Sequence, residues 1–204
     1  MNPRRCVIAL GLSLVAALGT VARANAQNER SSAAAPDARS LSEQPAWAAL
    51  RDGAIVIFRH AHAPGVGDPA GMRLGDCTTQ RNLDAEGRAQ ARRIGARLRE
   101  QGVAVGQVWS SQWCRTRETA ELIGAGAVSE QPAFNSFFSD RSRVPGQTAA
   151  VRELLLAWRG PGALVVVTHQ VNISALADGA TASGEGVVLR RVGNRLESVG
   201  RVLP

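Results

Sequence analysis

Two uninterrupted apolar runs constrain this chain more than any other feature. Residues 54–58 read Ala-Ile-Val-Ile-Phe and residues 163–167 read Ala-Leu-Val-Val-Val. Neither alternates polar with apolar, so each predicts a strand covered on both faces. Strands of that kind belong in a parallel sheet packed between helices. The rest of the chain agrees. A short helix is predicted over 46–51, a helix capped by Asp84 up to Gly102, a strand over 105–109 and a helix over 115–123. A short strand follows over 127–129, then helices over 148–158 and 172–177. The pair 187–192 and 195–202 flanks Gly193-Asn194, a hairpin turn signal. The fold class expected is α/β: a three-layer α/β/α sandwich around a mostly parallel sheet.

The first 26 residues have a different character. Arg4 and Arg5 precede an apolar run from Cys6 to about Val21, followed by Ala22-Arg23-Ala24 and Ala24-Asn25-Ala26. Basic start, apolar centre and small-x-small sites are the pattern of a secretory signal peptide. The run contains Gly11, Ser13, Gly19 and Thr20 and is short for a span, which takes about 20 apolar residues. Cleavage, with no stable membrane span left behind, is therefore the expectation, with a periplasmic or secreted product. Residues 27–44, polar and rich in Ala and Ser, read as a flexible linker. A single domain is expected over 45–204.

Composition narrows the chemistry. Of 204 residues 45% are hydrophobic, and the net charge is +7. Every basic residue is arginine, and tyrosine is absent. Without lysine, a Schiff-base mechanism and a P-loop are excluded. Losing Arg4, Arg5 and Arg23 leaves a mild positive balance, suited to an anionic substrate. No basic stripe interleaved with aromatics calls for nucleic acid. Cys77 and Cys114 remain after the leader; in an exported chain they form a disulfide or stand as two free thiols. Their spacing matches no zinc motif.

Ligands of open α/β sheets bind beyond the carboxyl ends of the strands. Here those ends carry Arg59-His60, Ser110-Ser111 with Arg115 one turn on, and Thr168-His169. Two guanidiniums supply forked donors for a phosphate dianion. One neutral imidazole can attack phosphorus, and a second can donate to the equatorial oxygens.

These residues resemble a known family. Arg59-His60-Ala61 looks like the Arg-His-Gly signature of the histidine phosphatase superfamily, branch 1, with its phosphoglycerate mutase-like fold. Leu83-Asp84-x-x-Gly87-x-x-Gln90-Ala91 is similar to that family's first-helix pattern. Ser110-Ser111-x-x-x-Arg115-x-x-x-Thr119-Ala120 resembles its second motif, and Val166-Val167-Thr168-His169 the strand of its second histidine. The resemblance implies a phosphatase acting on a small phosphorylated substrate or a phosphorylated macromolecule. His60 would form a phosphohistidine, with Arg59 and Arg115 holding the phosphoryl oxygens and His169 completing the pocket. No metal or cofactor is implied. A bridge between Cys77 and Cys114 would tie the loop after the nucleophile to the arginine helix.

The departures matter as much. Ala61 replaces the usual glycine, and Gln170 stands where the family has glycine or, in its acid-phosphatase branch, aspartate. His62 and Gln170 are candidates for substrate contact. Where mutase-like members carry a glutamate acid, this chain reads Phe134-Asn135-Ser136. Asp140 is the next carboxylate and the candidate proton donor, or else a solvated loop residue. Two competing readings remain: a phosphate-ligand binding module of the same fold without turnover, and a metal-dependent hydrolase using His60-x-His62.

Overall fold

The two apolar runs lie side by side at the middle of a six-stranded sheet ordered β3-β2-β4-β1-β5-β6. The computed structural model describes residues 38–177 and 179–204. The leader expected at 1–26 and the linker up to residue 37 lie outside the described residues. The strands are β1 (Ile55–Arg59), β2 (Val105–Ser110), β3 (Val128–Glu130), β4 (Ala163–Thr168), β5 (Gly186–Val192) and β6 (Arg195–Val202). The helices are α1 (Ala38–Arg51), α2 (Ala85–Glu100), α3 (Cys114–Ile123), α4 (Val144–Ala157) and α5 (Gln170–Leu176). Strands β3, β2, β4 and β1 pair in parallel; β5 and β6 close the other edge antiparallel.

Strand alternation divides the core in two. Val56 and Phe58 of β1, with Ala163, Val165 and Val167 of β4, pack with Ile94 and Leu98 of α2 and Ala120 and Ile123 of α3. Ile55 and Ile57, with Leu164 and Val166, face Val151 and Leu155 of α4 and Ile173 of α5. The expected three layers are thus present. Each fully buried side chain of this size contributes roughly 1.5–3 kcal/mol, so the central strands anchor everything at their ends. Helix α2 starts where its cap predicts: the Asp84 side chain accepts from Gly87 N at 2.7 Å. Gly87 and Gly95 permit close packing. A Cβ at Gly87 would meet His62 O at 2.0 Å, and one at Gly95 would meet Ile123 O at 1.9 Å.

Two boundaries differ from expectation. Helix α1 begins at Ala38, inside the stretch read as linker, and runs through Pro45. Its anchor is tertiary. Glu43 is buried, accepts from Trp47 Nε1 at 2.9 Å, pairs with Arg97 at 2.7 Å and accepts from Leu203 N at 3.2 Å. Arg97 and Leu203 are distant in sequence, so local composition favoured a linker. Helix α4 starts at Val144, with Pro145 in its first turn, a position where a missing N–H costs nothing.

Candidate active site

Register brings the chemistry together. Arg59 pairs with Thr168 across β1 and β4, and Ser110 with Val167 across β2 and β4. The ladder continues one residue further: His60 N donates to Thr168 O at 2.9 Å, and Ser111 N to Val167 O at 3.1 Å. Three strands therefore deliver His60, Ser111 and His169 side by side. The His60 and His169 rings meet edge to face, 5.6 Å between centroids. Helix α3 brings Arg115 over them, its side chain 3% exposed. His60, His169 and Arg115 open into a cavity of about 490 Å³ that Arg59, Arg81, Asp68, Ser136 and Gln170 also line.

Hydrogen bonds assign the tautomers. His60 Nδ1 lies 2.8 Å from Ala61 O, which can only accept, so Nδ1 carries the proton. Nε2 keeps its lone pair and has no hydrogen-bond partner among the described residues. Burial, then the positive charge of Arg115, lowers the His60 pKa to about 3, against the pull of Ala61 O. His169 is likewise held well below its usual range, first by burial and then by Arg115 and His60. Its Nδ1 accepts from Arg115 Nη2 at 3.4 Å, so Nε2 donates to Ser111 Oγ at 2.8 Å. Both imidazoles are therefore neutral at pH 7. The guanidiniums of Arg59 and Arg81 are lowered too, by burial and then by Arg115. Their crowding makes the cavity electropositive.

Arg59 is held by Thr181 O at 2.8 Å and by Gln170 Oε1 at 3.4 Å. Gln170 thus lines the cavity and steadies an arginine there. Arg81 was not singled out from the sequence. It donates from Nε to Gly67 O at 2.8 Å and from Nη1 to Ala63 O, which folds the loop after β1 across the cavity mouth. Its one sequence signal is position: an arginine between a Gly/Pro-rich loop and the Asp84 cap. Asp68, in the same loop, was also missed. It binds Arg115 through both oxygens, at 2.5 and 3.2 Å, and accepts from Trp113 Nε1 at 3.0 Å. Burial acts to raise the Asp68 carboxyl, but the hydrogen bonds and charge of Arg115 hold it below its ordinary range. A disulfide joins Cys77 to Cys114, tying this loop to the first residue of α3. Cys114 N donates to Gln80 Oε1 at 2.9 Å, a second tie at the same place.

The opposite wall comes from residues 132–144 and α5. Asn135 exchanges hydrogen bonds with Gln112 at 2.9 Å, through N–H of the backbone in one direction and its own amide in the other. Asn172 donates to Phe134 O at 2.9 Å and to Asn135 O at 3.0 Å. This latch sets Ser136 in the cavity lining, where a mutase-like glutamate would stand. Two expected site residues are not brought in. Asp140 is exposed and outside the lining; it caps the turn at Arg141–Arg143, accepting from Ser142 N at 3.1 Å and Ser142 Oγ at 2.6 Å. Its own turn consumes the carboxylate. His62 is half exposed and also outside the lining, with Nδ1 3.0 Å from Asp84. Strand-end geometry sends it from His60 toward α2, so the two do not converge as a metal pair.

Residues 55–136 match the model of the histidine phosphatase superfamily (branch 1). Over those residues the chain is similar to that superfamily, and the fold is the one the resemblance implies. Solved structures with the same fold include three phosphatases. The protein histidine phosphatase SixA, complexed with tungstate, is 18% identical with a TM-score of 0.53, covering 74% of this chain and 97% of that one. A mycobacterial glucosyl-3-phosphoglycerate phosphatase complexed with VO3 is 17% identical with a TM-score of 0.54, covering 72% and 97%. A phosphoserine phosphatase from Entamoeba histolytica, in complex with 3-phosphoglyceric acid, is 12% identical with a TM-score of 0.56, covering 73% and 96%. No curated protein matches the chain in sequence. No helix among the described residues is long and apolar enough to cross a membrane.

Proposed function

We propose that this protein is an exported phosphatase that hydrolyses phosphomonoesters, or a related phosphoryl group, through a phosphohistidine at His60. The observation that carries the reading is the state of His60. It is neutral, protonated on Nδ1 and free at Nε2, in a cavity lined by Arg59, Arg81 and Arg115. Nε2 attacks phosphorus, the bond to the leaving oxygen breaks, and the guanidiniums hold the charge on the equatorial oxygens. Water then attacks phospho-His60, releasing phosphate and returning the lone pair to Nε2. Export rests on the leader pattern of residues 1–26.

Leaving-group chemistry limits the substrate class. An alkoxide needs a proton as it departs; an aryl oxide or a phosphorylated imidazole leaves with far less help. Ser136 holds the place of the family's acid, and Asp140 lies outside the cavity. The site therefore suits activated phosphoryl donors, in line with the protein histidine phosphatase among its structural neighbours. The same vacancy of an acid supports a second reading: a phosphate-ligand binding module without turnover.

Hydrolysis of an aryl phosphate in the presence of a chelator separates the two. Wild type should turn over, and His60→Ala should lose at least about a thousandfold in kcat while keeping its circular dichroism spectrum. Full activity in His60→Ala removes the nucleophile. A wild type that binds phosphate but forms no product supports the binding module.

A further inference from the structure

Arg115 is placed to clamp a phosphoryl group, yet its terminal donors are already spent. Nη1 donates to Asp68 Oδ1 at 2.5 Å and lies 3.5 Å from Arg81 O. Nη2 donates to Asp68 Oδ2 at 3.2 Å and to His169 Nδ1 at 3.4 Å. The remaining donor, Nε, is buried with no acceptor among the described residues. His169 is committed as well, with Nε2 on Ser111 and Nδ1 on Arg115. The cradle as it stands offers an oxyanion neither the fork of Arg115 nor an N–H of His169.

We propose that Asp68 is a specificity-determining residue of this site: its carboxylate is a resident ligand of Arg115 that an incoming oxyanion must displace. The inference rests on the phosphatase reading above and deepens it. A carboxylate and a phosphoryl group present the same forked pair of oxygens to a guanidinium, so they compete for it. A flat monoanion entering here exchanges one forked pair for another and gains little. A tetrahedral dianion has further oxygens for Arg59, Arg81 and His169, and so repays the exchange. Once Arg115 turns to the phosphoryl group, His169 Nδ1 is released. Ser111 Oγ can donate as well as accept, so the proton of His169 is free to move to Nδ1 and face the ligand. Displacement of Asp68 thus assembles both halves of the cradle. The loop can accommodate it: Gly65 and Gly67, on either side of Val66, have φ of 92° and 72°, and Val66 is exposed.

The test is competitive inhibition of aryl phosphate hydrolysis by inorganic phosphate, in wild type and Asp68→Asn. The amide cannot compete as a charged ligand but still fills the space and can accept from Trp113. Phosphate should inhibit the variant roughly tenfold more tightly, and KM should fall with it while kcat does not rise. If Asp68 merely orients Arg115, the variant will bind phosphate more weakly; that result, or no change, overturns the proposal. A measurement on the unaltered protein guards against a misfolded variant. Trp113 Nε1 donates to Asp68, so saturating phosphate should alter tryptophan emission in wild type and not in Trp113→Phe. An emission unchanged in wild type at saturation also overturns it. Loss of turnover in His60→Ala with unchanged inhibition in Asp68→Asn leaves the phosphatase reading standing without this one. Turnover surviving in His60→Ala removes the phosphatase reading while leaving the binding comparison intact.

Discussion

The two walls of the cavity are built on opposite plans. The wall after β1, residues 61–84, is polar and cross-linked: it carries Asp68 and Arg81, and the Cys77–Cys114 disulfide fixes its far end. The wall from residues 132–144 and α5 is largely apolar, presenting Phe137, Phe138, Val144, Val171 and Ala175. It is held not by a covalent bond but by amides reading backbone carbonyls, with Asn172 at the centre. The difference teaches where specificity is divided. On the phosphatase reading, the polar wall recognises the phosphoryl group, which is common to all substrates. The apolar wall meets whatever that group is attached to. Phe138, half exposed with the Arg141 guanidinium 5.8 Å from its ring, is the part of that wall most open to a substrate.

The division can be broken first at Arg115, the residue through which the polar wall meets the strand ends. Arg115→Ala should lower kcat/KM for an aryl phosphate by about 10²–10³, the cost of removing a donor aimed at transition-state charge. A loss within tenfold would move phosphate recognition elsewhere. The covalent tie comes next. Its two cysteines are separated by 37 residues in sequence, so Cys77→Ser should cost about 3–4 kcal/mol of stability, read as a lower midpoint in denaturant. The opposite wall should keep its geometry, with the amide latch unaffected by reductant. The smallest effect is expected on the apolar wall's own carboxylate. Asp140→Asn should leave kcat for alkyl and aryl phosphates within about twofold, since it removes only a turn cap at an exposed site. A selective loss with alkyl phosphates would restore Asp140 as the acid and require residues 137–143 to rearrange on binding.

Most of the candidate site was legible before any coordinates. Arg59, His60, Arg115 and His169 each sit at the end of an apolar run or one turn into a helix, and parallel strand ends converge whatever their loops do. The capping of α2 by Asp84 was legible for the same reason, because cap and donor are three residues apart. Asp140 and His62 were read as candidates by proximity in sequence to the signature motifs. Each is held by another partner: Ser142, two residues on, for Asp140, and Asp84, at the start of α2, for His62. Nothing in a residue list says which of several partners a flexible side chain will take.

The sequence alone settled the layers, the strand ends and which histidines and arginines stand there, since burial pattern and chain direction are local properties. Tertiary structure alone decided the loop that crosses the site. Asp68 meets Arg115 across 47 positions, and Glu43 meets Leu203 across 160. Such contacts follow from how separate elements pack, and the entropy of closing those spans is repaid only when the whole fold is in place.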